Sequence, residues 1–435
     1  MHIAIVTAGG AGMFCGSCMH DNTWAHALIQ QGHEVSLIPT YTPLRLDEDN
    51  ESLGRVFFGG VNVYLNDKYS FWRKMPRFLT RWLDHPGLIR MATKWSVSNQ
   101  ASELGELTMS MLRGEEGPHR TAIEELDNFI CDQLKPDVVI FSNALLVGAV
   151  RVLEERFNGP IFCVLQGDDV FLDGLTDDYR QPVIDLISER AKDFTGFLVH
   201  SEFYRDYISK YLNLPPEKFS VLPLGINLTG HDGRPELRNN PRYTVGYFAR
   251  ICREKGLHNV MSAFVELRKH VPDAELKIGG YLGPGERAYF SESMALANEH
   301  INGIQYIGSP ETAAEKIAFL KSVDVLSVPT EFLEPKGLYV LESLANGTPV
   351  VQPEHGSFPE ILNRTQGGIL VAPRDPEALA NGLLQLADND ERIKYAEPGW
   401  ENVRSYYSDS EMAERTVEIL SSHFTETIGI IRPFE

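Results

Sequence analysis

Short, nearly uninterrupted apolar runs alternate with amphipathic segments from one end of the chain to the other. In the first half the runs fall at Ile3–Thr7, Glu34–Ile38, Asp137–Phe141, Ile161–Leu165, Gly196–His200 and Phe219–Leu222. Runs apolar on both faces are expected of parallel strands covered by helices on each side. Between them lie helical patterns such as Asn22–Gln31, closed by Gly32, and Thr121–Leu134, stopped by Pro136. The stretch 225–242 is rich in Gly, Pro and Asn, has no periodicity, and reads as a linker. The alternation then restarts with strands at Thr244–Ala249, Ala274–Ile278, Ile304–Ile307, Val323–Val328, Pro349–Gln352 and Ile369–Val371. Helical patterns at 257–270, 312–321, 337–346 and 375–388 fill the gaps; Leu257, Val260, Met261, Phe264 and Val265 make one apolar face. Ser408 followed by Glu411 is a capping-box signature that opens a last helix.

This is the alternation of two doubly wound α/β domains, over 1–224 and 243–403, with a tail at 404–435. Sheets of this kind hold ligands at the C-terminal ends of their strands, so functional residues are sought in the loops that follow strands. The length of 435 residues and a 43% hydrophobic content suit a globular protein of two or three domains. A formal net charge of −20 repels phosphate backbones and argues against general nucleic-acid binding. Five scattered cysteines (Cys15, Cys18, Cys131, Cys163 and Cys252) make no disulfide framework and point to a reducing compartment. No apolar run approaches the ~18 residues of a spanning helix, so the expected location is cytoplasmic.

Two loops carry candidate chemistry. After strand 244–249 come Arg250 and Lys255, two cations ahead of a helix N-terminus, an arrangement suited to a diphosphate. Cations there favour a transition state in which the diphosphate gains charge; the alternative is a solvated basic turn. After strand 323–328 comes "PTEFLEPKGLYVLESLANGTPVV", with Glu334 in the loop, Gly337 at a helix start and Glu342 inside the helix. Glu334 can accept hydrogen bonds from ligand hydroxyls, bare amides follow it, and Glu342 can take a diol; the alternative is an ordinary acidic surface helix.

The run "EPKGLYVLESLANGTPVV", with "GYFARICREKGL" before it and "HGSFPEIL" after it, resembles glycosyltransferase family 4. These are retaining, nucleotide-sugar-dependent enzymes of the GT-B fold, two Rossmann-like domains facing a central cleft with a C-terminal helix crossing back to the first. The resemblance implies that Arg250 and Lys255 neutralise the donor diphosphate, and that Glu334 contacts the donor sugar. It further implies that Glu342 holds the ribose and that the amides of Gly337, Leu338 and Tyr339 contact sugar and phosphate. Gly10 and Gly12 match the loop that lets the backbone approach the donor phosphate. Two positions depart from the family pattern: Lys336 stands where an aromatic residue is common, and Gln166, Gly167, Asp168 and Asp169 replace a His-Gly-x-Asp sequence. The implied reaction moves a hexose-type sugar from a UDP- or GDP-sugar to an acceptor hydroxyl, with retention, by front-face attack and without a metal or other cofactor. A nucleotide-sugar epimerase and a degenerate sugar-nucleotide-binding scaffold are the competing functions.

Two segments bear on the acceptor. In "MFCGSCMHDN" the pair Cys15 and Cys18 admits a redox pair, a zinc site or a shaped loop. The loop reading is adopted; under it His20, Asp21 and Asn22 face acceptor hydroxyls together with Gln166, Asp168 and Asp169. In an insertion at 66–118, residues 68–95 carry seven basic side chains against Asp84 alone, and three of the five tryptophans. Arg73, Arg77 and Arg81 form one helical stripe opposite Met75, Phe78, Leu79 and Trp82, so the segment either packs on its own core or docks on an anionic membrane. Docking would imply a peripheral protein with a lipid-linked acceptor.

Overall fold

The computed structural model describes residues 1–9, 16–54, 56–58, 101–235, 241–297 and 302–429, the side chains of 101–103 and 424–429 excepted. Gly10, Gly12, Cys15 and the basic segment 68–95 lie outside the described residues.

Among the described residues, twelve strands form where the apolar runs predict them. In the first sheet they are β1 (His2–Thr7), β2 (Glu34–Pro39), β3 (Val138–Phe141), β4 (Ile161–Val164), β5 (Gly196–Val199) and β6 (Phe219–Val221). In the second they are β7 (Thr244–Phe248), β8 (Glu275–Gly279), β9 (Ile304–Tyr306), β10 (Val325–Leu326), β11 (Val350–Pro353) and β12 (Gly368–Val371). The first sheet runs β2-β1-β3-β4-β5-β6 and the second β12-β11-β10-β7-β8-β9, and every pairing is parallel. Strand order therefore reverses between β1 and β3 in one sheet and between β7 and β10 in the other. Loops leaving neighbouring strands diverge at such a point and open a crevice above the sheet.

Alternation along the strands sends side chains to two cores in the first sheet. Ala4, Val6, Val139 and Phe141 enter one, while Ile3, Ile5, Val138 and Ile140 enter the other with Trp24 and Leu28. The second of these cores is also filled by Met412, Ala413 and Leu420 of the last helix, Asp409–Gly429. Trp24 fixes that docking with an indole N–H bond of 2.8 Å to Thr416 Oγ1. Ser408 Oγ accepts from the Glu411 N–H at 3.2 Å, as the capping signature predicts.

The chain divides into two compact units, Met1–Gly225 with Met412–Glu435, and Ile226–Glu411. The described residues of the stretch 225–242 beyond Gly225 fall in the second of these units. Trp400 Nε1 donates to Gly233 O at 2.6 Å, Asn346 Nδ2 lies 2.8 Å from His231 Nδ1, and Ile226 N donates to Tyr407 O at 2.9 Å. These bonds, from a side chain to backbone, between side chains and between backbone groups, hold the described residues of the stretch within the second unit. No described helix is long and apolar enough to cross a membrane.

One helix begins earlier than its pattern suggests. It spans Gly16–Gln30 rather than starting at Asn22, and Cys18, His20, Asp21 and Asn22 are buried within it. Residues 16–21 are thus helical, correcting the shaped-loop reading there. Hydrophobic periodicity misses a first turn whose buried positions are polar. At the other end Gly32, at φ +85°, closes the helix with the paired bonds Gly32 N to Ile29 O and His33 N to Leu28 O.

Candidate active site

In the second unit the strand-order reversal brings together the segments after β7 and β10. The first passes through Arg250 and Lys255 into the helix Leu257–Leu267. The second runs from Pro329 to Gly337 and enters the helix Leu338–Ala345. Gly256 allows their approach: at φ +71° it holds a conformation that side chains disfavour, and a Cβ there would strike the Pro329 carbonyl.

Lys255 Nζ lies 2.7 Å from Glu334 Oε2, with the two side chains 19% and 6% exposed. The same oxygen accepts from the Tyr339 hydroxyl at 3.1 Å, and Glu334 Oε1 accepts from the Gly337 N–H at 3.4 Å. Lys255 Nζ also sits 4.8 Å from the ring centroid of Phe332 and 5.2 Å from that of Tyr339, within cation–π range. Burial alone pushes the Glu334 carboxyl up. The Lys255 charge and hydrogen bond, the Gly337 N–H and the Lys336 charge outweigh it and hold the group below its ordinary value. Glu334 is therefore an ionised acceptor beside a cation. Its main chain is held by the Ser357 N–H, which donates to Glu334 O at 2.8 Å.

Gly337, at φ +68°, turns the chain into the helix without a side-chain cap, which leaves the first-turn amides of Leu338 and Tyr339 open to a ligand. Glu342 lies further along this helix, 7% exposed, and its Oε1 is 2.7 Å from Lys316 Nζ on the helix Ala313–Lys321. Arg250 is exposed on the β7 loop, where the neighbouring Ile251 N–H donates to Tyr281 O at 2.9 Å. The structure thus joins Lys255 to Glu334 directly, and holds Glu342 through a partner that motif reading misses. Lys316 carries one faint signal: it stands four residues before Leu320, on the buried side of its helix.

The first unit gathers the other candidates at its own reversal. Asp21 Oδ2 accepts from Thr7 Oγ1 at 2.6 Å, its Oδ1 lies 3.3 Å from His20 Nδ1, and Gln166 Nε2 donates to Oδ1 at 3.4 Å. Gln166 Nε2 also donates to Ser142 O at 2.9 Å, so one amide ties segments from β1, β3 and β4. The rings of His20 and His200 meet edge-on with centroids 4.5 Å apart. Asn22 is turned to the backbone of 49–51, donating to Asp49 O and accepting from the Glu51 N–H. Both Asp168 oxygens accept main-chain N–H groups, from Ala144 at 2.7 Å and Gln166 at 3.0 Å. Asp169 accepts from the Tyr204 hydroxyl at 2.6 Å; burial, supported by the Asp168 charge, outweighs that bond and raises its carboxyl to about 6. Of this group Asp21, Gln166, Asp168 and Asp169 cluster, whereas Asn22 points to loop backbone.

Residues 232–399 match the family model of glycosyl transferases group 1, a span that contains Arg250, Lys255, Glu334, Gly337 and Glu342. The chain is 31% identical over 183 residues to D-inositol 3-phosphate glycosyltransferase of Corynebacterium urealyticum, covering 41% of this chain and 42% of that protein. It is 31% identical over 189 residues to phosphatidyl-myo-inositol mannosyltransferase of Mycobacterium leprae, covering 42% and 49%. The chain thus spans less than half the length of these curated relatives. Among solved structures, sucrose-phosphate synthase from Thermosynechococcus elongatus superimposes with a TM-score of 0.71 at 18% identity, covering 98% of this chain and 100% of that one. Anabaena HepE in complex with UDP-glucose does so with a TM-score of 0.65 at 15% identity, covering 97% and 99%. The two parallel six-stranded sheets with flanking helices are the GT-B fold. It is residues 232–399 that carry the likeness to the glycosyl transferases group 1 family and to these relatives.

Proposed function

We propose that the protein is a retaining glycosyltransferase that moves a hexose-type sugar from a UDP- or GDP-sugar to an acceptor hydroxyl. The observation that carries this reading is the Lys255–Glu334–Tyr339 constellation beside the uncapped start of the helix Leu338–Ala345. Arg250 and Lys255 take the donor diphosphate, and the amides of Gly337, Leu338 and Tyr339 supply further positive potential. Glu334, kept ionised, accepts hydrogen bonds from the sugar hydroxyls, and Glu342 accepts them from the ribose. As the bond between anomeric carbon and phosphate oxygen lengthens, charge builds on the diphosphate and the cations stabilise it. The acceptor hydroxyl attacks from the same face and gives its proton to the departing phosphate oxygen. No side-chain nucleophile or metal ion is needed in this scheme. Gly10 and Gly12 let the backbone approach the donor phosphate. His20, Asp21, Gln166, Asp168 and Asp169 of the first unit serve the acceptor. The names of the relatives, which act on inositol phosphate and phosphatidyl-myo-inositol, support a polyol or lipid-linked hydroxyl as that acceptor. A lipid-linked acceptor would suit membrane docking by 68–95.

The test is release of nucleoside diphosphate from a panel of UDP- and GDP-hexoses with polyol acceptors in EDTA, followed by NMR of the product's anomeric configuration. Acceptor-dependent release with retention supports the reading. Conversion of the donor sugar without any acceptor identifies an epimerase instead, and no release from any donor removes the transferase assignment.

A further inference from the structure

The segments that carry Lys255 and Glu334 are joined a second time, three residues before Glu334. Glu331 Oε1 accepts from Asn259 Nδ2 at 2.7 Å and lies 3.3 Å from His258 Nε2. Its Oε2 lies 3.1 Å from Nε of Arg374, which follows β12 and is itself at φ +57°. Main-chain bonds reinforce the knot: Glu331 N donates to Glu254 O at 2.8 Å, and Arg374 donates to Glu331 O at 3.1 Å.

The histidine is oriented for its part. Its Nδ1 lies 2.8 Å from the Tyr289 hydroxyl, which can donate to it and leave Nε2–H to point at Glu331. Burial holds the imidazole below its ordinary value, against the pull of Glu331, so it is the neutral ring that makes this contact. Glu331 thus gathers three elements: the first turn of the helix after β7, the loop after β10 and the turn after β12.

The two ties respond differently to a ligand. A diphosphate competes with Glu334 for the Lys255 ammonium, so the first tie is shared or opened when a donor binds. The second tie involves neither Lys255 nor Glu334. We infer that Glu331 is a positioning residue, which keeps the loop bearing Glu334 in register with Lys255 while a bound diphosphate draws on the lysine's charge. This rests on the donor-site reading of Lys255 and Glu334. Glu331 is given no contact with the substrate; it acts through the loop it fastens. Small misplacements of catalytic groups cost up to ~100-fold in rate, so the effect belongs in kcat more than in nucleotide affinity.

The test compares Glu331→Ala, Glu331→Gln and Arg374→Ala, each verified as folded by circular dichroism and melting temperature. Kinetics use whichever UDP- or GDP-sugar turns over, nucleotide affinity is measured by calorimetry, and hydrogen exchange of 329–337 is followed with and without saturating UDP or GDP. For Glu331→Ala we expect kcat lower by about 10- to 100-fold, nucleotide Kd within about threefold of wild type, and faster exchange in 329–337, most visibly with nucleotide bound. Glu331→Gln, which keeps an oxygen for Asn259, recovers part of both losses, and Arg374→Ala shows a smaller change of the same kind. Unchanged kcat and exchange in folded Glu331→Ala overturn the inference, as does a loss that falls on Kd alone. If wild type neither binds nor turns over any nucleotide sugar, the donor-site reading fails instead. The ligand-free exchange then decides separately whether Glu331 fastens the loop.

Discussion

Replacing Lys255 by Met retains an apolar stem but removes the charge opposite Glu334. The carboxylate keeps the Tyr339 hydroxyl at 3.1 Å, the long Gly337 N–H contact at 3.4 Å and the nearby Lys336 charge, in a position 6% exposed. Breaking a buried pair costs ~3–5 kcal/mol, and partial exposure of Lys255 lowers this to about 2–3 kcal/mol through solvent screening. At about 2–4 °C per kcal/mol for a domain of this size, the second unit should melt about 4–12 °C lower at pH 7.5 and still fold. The pH dependence checks the cause. In the wild type the Glu334 carboxyl is held below its ordinary value of 4.5, so its contribution is full above that value and fades as pH falls through the lower folded value. Without Lys255, burial dominates and lifts the carboxyl above its ordinary value. The folded variant then binds a proton more readily than the unfolded chain, and acidification toward pH 5 stabilises it relative to wild type. Scanning calorimetry of both proteins at pH 5, 6, 7 and 8 should show the gap in Tm narrowing as pH falls. Lys255→Met combined with Glu334→Gln should recover part of the loss at neutral pH. A gap that is absent, or constant across this range and untouched by the second substitution, would refute the claim that the lysine compensates a buried charge.

Equilibrium titration with the bare nucleoside diphosphate should show Glu342→Ala weakening binding more than Glu334→Ala; the reverse order would mean the two acids have exchanged roles. Asp169, raised from 3.8 to about 6, binds more protons folded than unfolded, so stability falls as pH rises through that window. Asp169→Asn should therefore gain roughly 1–3 kcal/mol at pH 7 in urea unfolding, with no gain below pH 4; a loss at pH 7 would contradict the sign. Charge reversal at Arg73 and Arg77 should abolish flotation with anionic liposomes if the basic stripe docks, and unchanged flotation would leave the stripe as a packing element.

Most strands were legible because both of their faces are covered, so the sequence shows them as apolar runs; β6, β9 and β12 are only partly buried. Val323–Val328 is the partial exception: only Val325–Leu326 pairs as β10, and the ends are tied otherwise, with Asp324 Oδ2 accepting from the Thr244 N–H at 2.8 Å. The acids and cations of the second unit were legible because they lie in the loop, or in the helix entered from the loop, that follows a strand. Which of them touch was not, since the Lys255–Glu334 pair spans 79 positions and depends on β7 lying beside β10. The contact of Gln166 with Asp21 spans 145 positions and depends likewise on the order of the first sheet. Lys316, Glu331 and Tyr204 escaped notice for a related reason: each is defined by its partner, and neither a lysine or tyrosine on a helix nor a glutamate in a loop has a local mark of that partner. The early start of the helix Gly16–Gln30 was hidden because its first turns bury polar groups, which hydrophobic periodicity counts as solvent-facing.

The central claim is that the loops after β7 and β10 bind the diphosphate of a nucleotide sugar. The most direct test is a thermal-shift comparison of wild type and Lys255→Ala against UDP, GDP, ADP and their hexose conjugates, with and without EDTA. A ligand that binds only the folded state raises the melting temperature by mass action. The account predicts a clear rise with UDP or GDP and its sugar conjugate, indifferent to EDTA and much reduced in Lys255→Ala. No rise with any nucleotide, or an equal rise in the variant, would contradict it.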